Sequence, residues 1–154
     1  MNNPLNSREA ILASLPPAPQ PVAQYTAVRQ SGRLLFVAGQ TPHVQGVLQH
    51  RGLVGVDVSL DDACHLAHTA ALNVLAALHA HLGDLHQVES VLSLTGYVMS
   101  GPDFTEHPQV INGASDVFVQ VFGESGVHAR ASVGVSSLPG GAPVEISVIA
   151  QLGA

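Results

Sequence analysis

The run His128-Ala-Arg-Ala-Ser-Val-Gly-Val135 is followed, after Leu138-Pro-Gly-Gly-Ala-Pro143, by Val144-Glu-Ile-Ser-Val-Ile-Ala150. Both are apolar, rich in β-branched residues and bounded by turn residues, so they read as strands over about 128–136 and 143–151. The turn between them is short enough for an antiparallel hairpin. Side-chain alternation puts Ala129, Ala131, Val133 and Val135 on one face of the first strand, and Arg130, Ser132 and Gly134 on the other. In the second strand Val144, Ile146, Val148 and Ala150 share a face, opposite Glu145, Ser147, Ile149 and Gln151. With the apolar faces under helices, Arg130, Ser132, Glu145 and Ser147 are expected together on the opposite surface, covered by a subunit interface. A guanidinium in mid-strand needs a partner. That partner is either a structural carboxylate or a small anionic ligand, since Arg is shaped to hold a planar carboxylate by two parallel hydrogen bonds.

Working outward, Asn6 to Leu15 reads as a short helix with Asn6 as cap and Glu9 three residues on. Pro16 to Ala23 is an extended, proline-rich connector. Residues 1–24 therefore form an N-terminal helix and connector, and residues 25–154 one domain. Arg33 to Gly39 is a strand between glycines. Val47 to Val58, with Gly46, Gly52 and Gly55, suggests turns, a bulge or a short hairpin. Ser59 caps a first long helix, with Asp62 completing a capping box. Leu66, Ala70, Asn73, Val74, Ala77 and Leu78 recur at helical spacing, and Gly83 ends the helix. Val88 to Val98 is a strand. Pro108 fits the first turn of a second helix, whose buried stripe is Ile111, Ala114, Ser115, Phe118, Val121 and Phe122, and which Gly123 stops. Strands, helix, strand, helix and two strands define an α+β sandwich, a sheet with two main helices on one face.

Composition narrows the function. Of 154 residues, 46% are hydrophobic and only 10% charged; an average globular chain is about a quarter charged, so apolar surface calls for self-association. Five arginines and no lysine face eleven acids, a net charge of -6, which weighs against nucleic-acid binding. The single Cys64 excludes an internal disulfide and fits a reducing cytosol. The N-terminus lacks the basic and apolar regions of a signal peptide, and no apolar run approaches the roughly 20 residues of a membrane span. A cytoplasmic protein is expected.

Gly39-Gln40 after an apolar strand, Asn73 in the first long helix, Gly83-Asp84, Phe122-Gly123, Ala129-Arg130, Leu138-Pro139 and Val144-Glu-Ile146 occur in an order and spacing that resembles the Rid family. This is the YjgF-type group of reactive intermediate/imine deaminases, also known as endoribonuclease L-PSP. The likeness runs from about residue 20 to the C-terminus. It implies a chorismate-mutase-like fold and a homotrimer with three clefts between subunits. It also implies hydrolysis of 2-imino acids, formed from enamines, to 2-keto acids and ammonia, with no cofactor and no metal. On that likeness Arg130 holds the substrate carboxylate, Glu145 positions the water, and Tyr25 helps close the cleft. Gly39, Asn73, Ser132 and His128 are further candidates for substrate contact. The chain departs from the archetype: Ser132 stands where the family carries Cys, Ser147 replaces an acid, and Asn112-Gly-Ala-Ser-Asp116 opens the second helix differently. It resembles a divergent branch.

Plainer readings stand beside these. Arg130 and Glu145 can form a structural ion pair. Asn73 on an apolar helix face reads first as a satisfied buried amide, Tyr25 as a packing aromatic, and Cys64 as a small hydrophobe. Ser132 lacks the G-x-S-x-G context of a nucleophile. The nine histidines show no metal-binding spacing. Three functions remain open: an imine hydrolase, a non-catalytic trimer that binds small carboxylates as sensor or scavenger, and RNA cleavage, which the acidic balance opposes.

Overall fold

A computed structural model describes residues 8–154. A five-stranded sheet contains β1 (Val28–Ser31), β2 (Leu34–Gln40), β5 (Val88–Met99), β6 (Ala129–Val135) and β7 (Val144–Leu152), in the spatial order β1-β2-β7-β5-β6. A small hairpin, β3 (His43–Val44) with β4 (Val47–Leu48), stands apart. The long helices are α2 (Leu60–Leu82) and α3 (His107–Phe122); a short α1 (Arg8–Ala13) precedes them. Asn6, the expected cap of the first helix, lies outside the described residues. Ile11 of α1 is buried in the same core as the sheet and long helices.

The cores of β7 and α2 follow from their sequences. Val144, Ile146, Val148 and Ala150 of β7 are buried, while the alternate residues are only partly so. Ser59 accepts a hydrogen bond from the Asp62 amide, and Gly83, in the left-handed region at φ 79°, stops α2. The buried stripe of α2 is mostly alanine, which lets α3 come close. At Gly113 of α3, a Cβ would stand 2.0 Å from the Cys64 carbonyl oxygen of α2. At Gly96 of β5, a Cβ would collide with Ile111 of α3. These two glycines set the spacing between the helices and the sheet.

Two expectations fail. The strands 129–135 and 144–152 do not form a hairpin. The twelve-residue β5 lies between them, antiparallel to β7 and parallel to β6, which it reaches through α3. β5 carries the core residues Val91, Leu94 and Val98, so it takes the place beside β7, and β6 is left at the sheet edge.

The faces of β6 are also reversed. Leu94, Gly96 and Val98 of β5 lie opposite Val148, Ile146 and Val144 on one side, and Arg130, Ser132 and Gly134 on the other. Paired residues share a face. Arg130 and Ser132 therefore point to the helix side. Ala131 and Val133 share the open face with Ser147 and Glu145. That open face also carries Phe36 and Ile149, and Phe36 and Val133 are exposed. No helix among the described residues is long and apolar enough to cross a membrane.

Gly113→Ala is expected to force α2 and α3 apart and destabilise the protein by about 1–3 kcal/mol, measurable as a lower urea midpoint; Gly101→Ala, with open space around it, serves as the control.

Candidate functional site

Arg130 leaves β6 toward the first turns of α3 and is held there. Nη1 donates to Asn112 Oδ1 at 2.8 Å and to Ser115 Oγ at 3.1 Å, and Nη2 donates to the Pro108 carbonyl at 3.3 Å. All three acceptors are neutral. Among the described residues the ion pairs are Arg33–Glu89 and His86–Asp84, so the structural Arg130–Glu145 pair does not form within one chain. A guanidinium has five N–H groups; two remain for a ligand. The side chain is exposed.

His128 extends this cluster. Its Nδ1 lies 2.6 Å from the Gly126 carbonyl and its Nε2 lies 2.9 Å from Ser115 Oγ. A carbonyl only accepts, so Nδ1 carries the proton and Nε2 accepts from the Ser115 hydroxyl. The ring packs edge-on against Phe118. Burial holds the His128 pKa below its ordinary value, and the charge of Arg130 adds to this; the Gly126 hydrogen bond opposes it. Ser132, two residues beyond Arg130 on the same face, has a buried hydroxyl with no hydrogen-bond partner among the described residues.

Glu145 stands elsewhere. It lies on the open face of β7, two strands from β6, which is roughly 10 Å across the sheet. Its carboxylate covers Gly39 of β2: a Cβ at Gly39 would stand 2.8 Å from Glu145 Cδ. A larger residue there would push the Glu145 side chain aside. Glu145 is half-buried and makes no hydrogen bond among the described residues, and burial raises its pKa above the ordinary carboxylate value. Tyr25 is half-exposed and precedes β1, at the sheet edge opposite β6. One chain thus presents two groups: Arg130, Ser132 and His128 with α3, and Glu145 with Gly39.

Asn73 takes a supporting position. Its Nδ2 donates to the carbonyls of Thr41 and His43, at 3.0 and 2.9 Å, and so ties the segment that follows Gly39 to α2. It is 2% exposed, which matches the satisfied-amide reading. No group of three or more His, Cys, Asp or Glu among the described residues could hold a metal.

Sequence reasoning missed Asn112 and Ser115 as the anchors of Arg130. A signal was present, because they are polar residues three apart near the start of an apolar helix. Ser115 was read there as part of the buried stripe.

A mixed five-stranded sheet backed by two long helices, with an arginine and a glutamate on its last two strands, defines the class of this α+β domain. Residues 9–152 match the model of the family described as "YjgF/chorismate mutase-like, putative endoribonuclease". The chain belongs to that family, the YjgF or Rid family. Protein TCP17 of Trypanosoma cruzi is 41% identical over 141 residues, 90% of this chain and 87% of its own. Two crystal structures share the fold. Atu1372 of Agrobacterium tumefaciens, of unknown function, is 43% identical with a TM-score of 0.87, over 95% of this chain and 92% of its own. A protein of Shewanella oneidensis described as a putative endoribonuclease is 27% identical with a TM-score of 0.90, over 95% and 99%.

The raised pKa of Glu145 has a sign for stability. The folded state binds this proton more tightly than the unfolded chain, so the contribution is fully present below the unfolded pKa and is lost as pH rises through the folded one. Glu145→Gln should therefore melt about 1–3 °C above wild type near pH 7.5, with the gap closing by pH 4 in differential scanning calorimetry.

Proposed function

We propose that the protein hydrolyses small 2-imino acids, formed from enamines, to 2-keto acids and ammonia, in a homotrimer whose cleft joins the Arg130 group of one subunit to the Glu145 group of the next. The observation behind this reading is the state of Arg130: fixed by three neutral acceptors, unpaired by any carboxylate among the described residues, and left with two free donors. A planar carboxylate is the ligand such an edge accepts. Family membership supports the chemistry. The apolar open face and low charge support assembly.

In this scheme Arg130 orients the imino acid by its carboxylate. Glu145, as its anion, accepts a proton from water while the oxygen adds to the C=N carbon, and passes that proton on to the imine nitrogen to give the carbinolamine. Collapse of the carbinolamine expels ammonia and leaves the ketone. A half-buried base with a raised pKa suits this work near neutral pH. The buried Ser132 hydroxyl lies on the same face of β6 as Arg130. Tyr25 and Gly39 line the Glu145 side, and Asn73 and His128 act from behind. No cofactor or metal is required. The reaction is placed in the cytoplasm, where enamines are released by pyridoxal-phosphate enzymes.

A second reading, a carboxylate-binding trimer without turnover, draws on Ser132 and Ser147, the departures from the archetype. Decay of enzymatically generated 2-iminopropanoate, with semicarbazide as the competing trap, separates the two. Wild type is expected to divert imine to keto acid, Arg130→Ala to lose about 10²-fold of that activity, and Glu145→Gln to lose turnover while retaining keto-acid binding. A wild type that binds the keto acid but leaves imine decay at the background rate favours the second reading, and sedimentation as a monomer at micromolar concentration overturns the shared cleft.

A further inference from the structure

Arg51 stands at the end of the sheet where β7 begins, in the stretch between β4 and α2. Its Nε donates to the Gly140 carbonyl at 3.0 Å, and the amide of the next residue, Gly52, donates to the Gly141 carbonyl at 3.1 Å. Gly140 and Gly141 both take positive φ, 67° and 77°, and offer these two successive carbonyls to one partner. The stem of Arg51 runs along Gly141, where an added Cβ would stand 3.7 Å from Arg51 Cβ and Cγ. The stretch is fixed on its other side as well. Val54, fully buried, donates its amide to the Met99 carbonyl at the end of β5, and the Met99 amide donates to Pro143, each at 2.8 Å. Glu145 is the second residue of β7, so Arg51 is tied to the turn that delivers the glutamate.

This tether uses one of the five N–H groups of a guanidinium. Nη1 and Nη2 meet no partner among the described residues, and the side chain is exposed. Asp57, close to Gly52, turns its Oδ2 to the Leu53 amide at 2.8 Å and forms no ion pair with Arg51. Arg33, by contrast, is paired with Glu89. The chain has five arginines, no lysine and eleven acids. An arginine held by main-chain carbonyls, with its charge left over, is free for an anion that the described residues do not supply.

We infer that Arg51 is a specificity-determining residue that receives a second acidic group of the ligand, so that the preferred substrates are 2-imino acids with a carboxylate at the far end of a short side chain. The inference rests on the proposed cleft, which joins the Arg130 group of one subunit to the Glu145 group of the next. In that cleft the two arginines belong to opposite walls. Arg130 takes the carboxylate beside the C=N carbon, and Arg51, on the Glu145 wall, takes the distal one. A distal carboxylate near the Glu145 anion is repelled by it, and a guanidinium on the same wall offsets that repulsion. An apolar side chain gains nothing from Arg51, so the contact sorts ligands by charge. A strut between the stretch 51–54 and the turn 139–141 needs only Nε and is indifferent to ligand charge.

Two keto acids of equal length test this: 2-oxoglutarate and 2-oxopentanoate, which differ at the far end as carboxylate against methyl. Each is titrated by calorimetry near pH 7.5 at low salt. Wild type should bind 2-oxoglutarate about tenfold more tightly, and the preference should shrink in about 0.5 M salt, as an exposed charge contact does. Arg130→Ala should weaken both ligands. Arg51→Gln should bring the ratio to about one, and Arg51→Lys, which keeps the charge and loses the Gly140 bond, should keep a severalfold preference. Arg33→Gln removes the same charge at the opposite end of β7, beside Leu152, and should leave the ratio as it is. If both ligands bind through Arg130 but equally well, or if the preference survives in Arg51→Gln, the inference falls while the carboxylate clamp stands. If the Lys and Gln variants lose the preference alike, the shape of the turn and not the charge carries it, and the inference also falls. If neither keto acid binds to wild type, the reading of Arg130 as a clamp fails and takes the inference with it.

Discussion

The alternation along β7 governs where Arg130, Ser132 and Glu145, the strand residues of the candidate site, point. Val144, Ile146, Val148 and Ala150 must all be buried under the helix layer, chiefly against α2, because each is apolar and together they form the centre of the sheet. A one-residue slip would turn all four outward. Pairing then carries that choice across the sheet. β5 aligns Leu94, Gly96 and Val98 with them, and β6 aligns Arg130, Ser132 and Gly134 in turn. Glu145 is forced to the other face by the same rule. The separation of arginine and glutamate is thus a consequence of core packing, and the proposed cleft joins them across a subunit boundary.

Much of the fold was legible. Ser59, the helical spacing from Leu66 to Leu78, Gly83, Pro108 and Gly123 each carry a local physical signature, and the helices run where those residues place them. The core face of β7 was legible for the same reason. The strand β6 was misread because its alternation is ambiguous. Ala129, Ala131 and Val133 look like a core face, but on an edge strand they lie on the open side and stay exposed. Arg130 has the length to leave the core side and reach the beginning of α3, which no periodicity reveals. Strand order was hidden too, since the proximity of two strands in sequence says nothing of a third that inserts between them.

The candidate site was legible by residue type but not by arrangement. Arg130 and Glu145 stood out as charges in apolar strands, and both occupy positions where their charge has consequences. Their surroundings were not foreseen. Asn112 and Ser115 act only because α3 begins over the edge of β6, and that placement depends on Gly113 and Gly96, two positions selected by what they lack. The near-coincidence of a glycine with candidate residues, Gly39 with Glu145 and Gly113 with Asn112, reflects the space that a close approach requires.

Gly113 has one more consequence, for how such a protein can diversify. With the Cys64 carbonyl filling the place of a side chain, α3 cannot slide or roll on α2. The freedom left is in the connection that enters it, residues 100–106, where Ser100 meets His107 at 3.3 Å. Insertions or deletions there would re-aim the opening turn of α3, and with it the atoms that grip the guanidinium, while the sheet stayed as it is. Loop length is then an evolutionary dial for ligand preference, and the helix seam is the fixed pivot it turns against.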